Sequence, residues 1–109
     1  MSINRPEGGW NITRLPVHPG EMLREEFMKP MGIKAYSLAR DLQIERPRLE
    51  RIVREEQGIS ADTALRLGKF FGTTPEFWMN LQTRYELERA RRELGARLNK
   101  IESHSEAAA

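Results

Sequence analysis

Residues 46–54 read Arg-Pro-Arg-Leu-Glu-Arg-Ile-Val-Arg. On a 3.6-residue period Leu49, Ile52 and Val53 turn inward, leaving Arg46, Arg48, Arg51 and Arg54 outward with Glu50 among them. Arg48, Arg51 and Arg54 follow one another at intervals of three and so lie along one side of a helix. A planar guanidinium donates two parallel hydrogen bonds to guanine O6 and N7, or bridges phosphate oxygens. An arginine-bearing helix therefore suits DNA, and the N-terminal part of such a helix approaches base edges in the major groove. This assigns base reading to Arg46, Pro47 and Arg51, with Pro47 offering apolar contact to a thymine methyl. It assigns phosphate contacts to Arg48 and Arg54, with Lys34 and Arg40 at the rim. The competing reading is a solvated face whose arginines pair with Glu45, Glu50 and Glu55.

The elements that must position these residues follow from periodicity and end signals. Pro19 suits a first helical position, Glu21 favours the positive end of the helix, and Pro30 with Gly32 closes it. Leu23 and Phe27 share a face of this first helix. A second helix covers about Ala35–Leu42, with Leu38, Ala39 and Leu42 inward. Gln43-Ile44 forms a tight turn, and the arginine-bearing third helix runs from about Arg46 to Arg54, a helix-turn-helix over residues 35–54. Ser60 caps a fourth helix, whose apolar side is assigned Ala64, Leu65, Leu67 and Phe71, with Gly72 at its end. Thr74-Pro75-Glu76 starts a fifth helix expected to reach about Ile101, with a bend or fraying at Gly95. The expected class is all-α, with residues 18–101 as one domain behind an arm at 1–17 and a disordered tail at 102–109. Within the arm Trp10, Ile12 and Arg14 alternate, as in a short strand or an extended packed segment.

The 109 residues suffice for one core without disulfides or a structural metal. With 39% hydrophobic and 31% charged residues the chain reads as globular. Net charge is only +2, so the placement of positive charge carries more weight than its total. Cysteine is absent, which removes disulfides and thiolate chemistry. Neither a membrane-length apolar run nor a signal-peptide pattern is present, and the expected location is the cytoplasm, with no membrane partner.

No cluster of ligand-type residues has metal spacing, and no phosphate loop or nucleophile motif occurs, so the expectation is a non-enzyme without cofactor or metal. His18 reads as a helix-start residue, its only histidine companion being His104 in the tail. Trp78, Leu81 and Tyr85 read as packing of the fifth helix against the first and fourth. The charged residues around Arg84–Arg97 form a solvated face. Leu87, Leu94 and Ile101 recur every seven residues, with Ala90 and Leu98 beside them, and could pair with a second copy of the helix.

The run Leu38–Leu49 resembles the helix-turn-helix of Cro-like and Xre-like repressors, which implies a lambda-repressor-like fold. Three further segments resemble the HigA antitoxins, also called VapI: Val17–Leu23 followed by Phe27, Ile59–Leu67, and Gly72–Gln82. Pro75-Glu-Phe-Trp-Met-Asn-Leu-Gln82 is the most specific of these strings. The resemblance implies five helices, a homodimer, repression of its own operon at palindromic double-stranded operator DNA, and neutralisation of a HigB/RelE-like mRNA endonuclease toxin. A stand-alone Xre-type repressor, or a protein-interaction module with little DNA affinity, are the alternatives. Two departures from the family pattern stand out. Gln43 occupies the turn position that is usually glycine, and Lys34 and Glu45 replace the usual serine or threonine caps.

Overall fold

The computed structural model describes residues 14–104. The alternating stretch at Trp10 and Ile12, the rest of the arm before Arg14, and tail residues 105–109 lie outside the described residues.

Five helices build the fold. Helix α1 is continuous but changes pitch: Pro19–Met22 is α-helical, Leu23–Met28 is π-helical and Lys29–Met31 is α-helical again. His18 caps its start, Nδ1 accepting the Gly20 N–H at 2.8 Å. Proline lacks an N–H and, in α register, crowds the carbonyl four residues back. The wider π turn precedes Pro30, with the Lys29 N–H on the Arg24 carbonyl. Gly32, at φ 66°, then takes the left-handed conformation that ends α1.

Helix α2 spans Ala35–Leu42 and α3 spans Arg46–Val53, with Arg54 at the α3 C-cap. Helix α4 spans Ala61–Phe71, capped by the Ser60 hydroxyl on the Thr63 N–H and closed by Gly72. Helix α5 spans Pro75–Leu94, capped by the Thr74 hydroxyl on the Phe77 N–H. At Gly95 the backbone reaches φ 52°, ψ −131° and the chain continues as a 3-10 turn, Gly95–Lys100. The α-helix therefore stops short of the expected Ile101, at the glycine where a bend was anticipated.

The core contains Leu23, Leu38, Leu42, Leu49, Ile52, Leu67 and the fully buried Trp78. Phe27, Phe71 and Phe77 surround Trp78, with ring centroids 4.8–6.5 Å apart. On α4 one expectation fails: Leu65 is 59% exposed. The inward stripe is Thr63, Ala64, Leu67 and Gly68, and Leu65 lies one residue, or about 100°, off it. Gly68 is inward because α4 passes so close to the α4–α5 turn that an added Cβ would lie 2.8 Å from the Thr73 carbonyl oxygen.

Candidate nucleic-acid interface

The two helices of the helix-turn-helix are joined by Gln43, Ile44 and Glu45. Gln43 holds φ 59°, ψ 45°, so a non-glycine residue fills the left-handed position. Its N–H bonds the Arg40 carbonyl and the next N–H, of Ile44, bonds that of Ala39, which closes α2 despite the missing glycine. From α4, Arg66 Nη1 donates to the Leu42 and Gln43 carbonyls at 2.9 and 3.1 Å. The same guanidinium pairs with Asp62 at 2.8 Å, and this pair holds the Asp62 carboxyl below the usual carboxylate range. Neither Lys34 nor Glu45 makes a side-chain cap. Both adopt the extended backbone of an N-cap, and their carbonyls accept the first helical bonds, from Leu38 and Leu49.

The far end of α3 is held from α1. Glu55, at φ 64°, is the second non-glycine residue in the left-handed region. Arg24 Nη1 donates to the Val53 carbonyl at 2.6 Å and Nη2 to the Glu55 carboxylate at 3.0 Å. The side-chain bonds to Glu25 and Glu55 raise the Arg24 pKa, so its charge is permanent. Gly20 packs on the same helix end, where a Cβ would come within 1.8 Å of the Ile52 carbonyl oxygen.

The α3 arginines do not all project alike. Arg46, Pro47 and Arg51 are exposed. Arg46 is paired with Glu50 at 2.8 Å, and its guanidinium carbon lies 5.9 Å from the centre of the Tyr36 ring. Arg51 donates to the Gln57 amide oxygen at 2.9 Å. Arg54 is exposed at the C-cap and pairs with Glu56 at 3.1 Å. Lys34 and Arg40 are exposed on α2 and its cap, with Arg40 beside Asp41 at 3.4 Å. Arg48 differs. It is half-buried and turned towards α4, donating to Ser60 at 3.2 Å and to the Thr63 hydroxyl, with Asp62 at 3.7 Å.

The structure thus gathers Arg46, Pro47 and Arg51 on one exposed arc, with Arg54 beyond them, and draws Arg48 into the α3–α4 junction. Sequence reasoning did not single out Tyr36 or Gln57. Tyr36 is 55% exposed beside Arg46, and an exposed aromatic in the first turn of α2 was the available signal. Gln57 lies in an irregular segment and carries no periodic signal.

Residues 25–76 match the Cro/C1-type HTH DNA-binding domain family. The chain is 53% identical to virulence-associated protein I of Dichelobacter nodosus over 74 residues, 68% of each chain. Its fold matches Pseudomonas aeruginosa antitoxin HigA, solved with the higBA promoter, at 47% identity and a TM-score of 0.78, covering 82% of this chain and 98% of that one. The chain belongs to the HigA/VapI family of helix-turn-helix proteins. Another family structure, antitoxin GraA in complex with its operator, is 42% identical with a TM-score of 0.78, covering 95% of this chain and 97% of that one.

The most family-specific string of this HigA/VapI chain serves the fold. Trp78 Nε1 donates to the Thr73 hydroxyl at 2.7 Å. Gln82 is buried, and its Oε1 accepts the Ile59 N–H at 2.7 Å, pinning the segment before α4 to α5. His18 is also structural: besides capping α1 it packs edge-on against Tyr85 at 4.7 Å. Burial lowers its pKa, with Glu55 pulling the other way.

Proposed function

We propose that this chain is an operator-binding antitoxin that represses its own operon and neutralises a HigB/RelE-like ribonuclease. The observation that carries the reading is the exposed arc of Arg46, Pro47 and Arg51 on α3, in a fold shared with relatives solved on promoter or operator DNA. Arg46 and Arg51 read base edges, and Pro47 lies between them against the groove floor. Lys34, Arg40 and Arg54 meet phosphates. Arg48 meets a phosphate from its place beside the α4 N-terminus, with Ser60 and Thr63 orienting it.

The working unit is a homodimer in the cytoplasm, formed from residues 18–101 with 1–17 as an arm and 102–109 as a tail. The dimer is supported by the apolar stripe beyond the core: Leu87, Leu94, Leu98 and Ile101 are exposed and lie outside the core cluster. The chain acts by binding, without cofactor or catalysis. No helix among the described residues is long and apolar enough to cross a membrane.

Nuclease footprinting of the DNA upstream of the gene tests the DNA half of the reading. Two protected half-sites centred about 34 Å apart are expected for a two-fold dimer on B-DNA. Co-expression with a HigB-like toxin tests the other half, through rescue of growth. A footprint without rescue selects the stand-alone repressor; neither result selects an interaction module.

A further inference from the structure

Arg46 is held from two helices. On α3, the Glu50 carboxylate accepts from its Nε at 2.8 Å. From the first turn of α2, the Tyr36 ring lies under the guanidinium, with its centre 5.9 Å from the guanidinium carbon. That is within the roughly 6 Å at which a cation is attracted to a ring face. Nη1 and Nη2 make no hydrogen bond among the described residues. The Nε edge is thus occupied and the plane is backed by a ring, while two nitrogens remain to donate in parallel.

Arg51 shows the same division of edges without the ring. Its Nε is bound to Gln57 at 2.9 Å, its Nη atoms make no hydrogen bond, and no aromatic face backs it among the described residues. Tyr36 is 55% exposed and outside the core cluster, so packing of the fold does not dictate its place beside Arg46.

We propose that Tyr36 is a positioning residue for sequence reading: its ring and the Glu50 carboxylate hold the Arg46 guanidinium in place before DNA arrives, with Nη1 and Nη2 left for a guanine. The proposal rests on the base-reading role given to Arg46 above. Pre-organisation turns this contact into specificity. An arginine gives up rotamer freedom when it is fixed on a base edge, and a side chain already fixed has less to lose. The gain applies only where a guanine meets the guanidinium. On other sequences an unconstrained arginine swings to a phosphate, a contact that carries no sequence information. The ring face supplies the contact and the hydroxyl is dispensable, which separates this role from a phosphate contact made by Tyr36 itself.

The test is affinity of the full chain for the footprinted operator and for a scrambled duplex. Tyr36→Ala and Tyr36→Phe are compared in the unaltered chain, and Tyr36→Ala is repeated in Arg46→Ala and Arg51→Ala backgrounds as double-mutant cycles. Both duplexes meet the same protein sample, so any unfolded fraction cancels in the ratio of affinities. Tyr36→Ala should narrow the operator-to-scrambled ratio about two- to fivefold, the scale of an exposed cation–π contact. Tyr36→Phe should retain the ratio. Tyr36→Ala should add nothing once Arg46 is alanine, and should keep its full effect once Arg51 is. Equal weakening on both duplexes, a loss in Tyr36→Phe as large as in Tyr36→Ala, or an undiminished effect in the Arg46→Ala background overturns the proposal and makes Tyr36 a DNA contact in its own right. A ratio unchanged by Tyr36→Ala but narrowed by Arg46→Ala overturns the positioning role alone and leaves base reading standing. A ratio unchanged by Arg46→Ala removes the base-reading role and the inference with it.

Discussion

At the residue scale, three side chains set the terms of the site. Arg48 joins α3 to Ser60, Thr63 and Asp62, in addition to the phosphate contact proposed for it. Arg48→Ala should therefore lower stability by about 1 kcal/mol, the usual worth of such hydrogen bonds, in addition to weakening binding to all DNA sequences. Urea unfolding separates the two effects, and unchanged stability would return Arg48 to a purely DNA-facing role. Gln43 carries left-handed strain of about 1–2 kcal/mol, partly offset in a Gln43→Gly variant by about 0.4–1 kcal/mol of added chain entropy. The net expectation is a gain of about 0.5 kcal/mol on the same denaturation curve. A loss would mean that the Gln43 side chain supports the turn.

His18 makes the fold sensitive to acid. Burial lowers its pKa from the ordinary 6.5, so the unfolded chain takes up a proton before the folded chain does. Its contribution is present above pH 6.5 and is lost as pH falls below that value towards the lowered one. Protonation also converts the Nδ1 acceptor of the Gly20 N–H into a donor. His18→Asn retains a capping acceptor without titrating in this range. Thermal melts at pH 7 and pH 5 should show a larger drop for the unaltered chain than for His18→Asn.

At the element scale, what was readable depended on whether a signal was local. Three of the five helices follow from caps and punctuation: Pro19 and Gly32, Ser60 and Gly72, Thr74 and Gly95; α2 and α3, which lack side-chain caps, follow from the spacing of their apolar residues. The exposed arc of α3 follows from the inward positions of Leu49 and Ile52. The π turn in α1 was not readable, because it depends on how Pro30 is accommodated by the turn before it. The fate of Arg48 was not readable either, since its partners lie 12 to 15 residues away on α4. Leu65 was misplaced because composition marks it as apolar, while helix phase puts it outside.

Contacts between elements give their own predictions. Gly20→Ala should destabilise the chain by about 3 kcal/mol, because overpacking of this kind forces backbone to move, and the backbone here is the Ile52 carbonyl at the end of α3. Gln82→Ala leaves the buried Ile59 N–H without its acceptor, an expected loss of about 1–3 kcal/mol. Each is checked by urea denaturation, and a value near zero would mean that the contact is not made in solution.

At the scale of the whole molecule, the chain divides its surface. One side offers Arg46, Pro47 and Arg51, α1 carries Glu21, Glu25 and Glu26, and the stretch from Leu87 to Ile101 exposes an apolar stripe. The net charge of +2 conceals this separation, which is why composition alone pointed only weakly to nucleic acid. Sedimentation should find a dimer at micromolar concentration, and Leu94→Glu with Leu98→Glu should shift it towards monomer without unfolding it, since both side chains lie outside the core.

The central claim is that α3 reads sequence through Arg46 and Arg51. The direct measurement is affinity for the footprinted operator and for a scrambled duplex, across a salt series, for the unaltered chain, Arg46→Ala and Arg51→Ala. Each substitution should narrow the ratio between operator and scrambled DNA by the equivalent of roughly 1–3 kcal/mol, the worth of a bidentate base contact. An unchanged ratio for both variants, with only uniform weakening, would contradict the claim and make these arginines phosphate anchors.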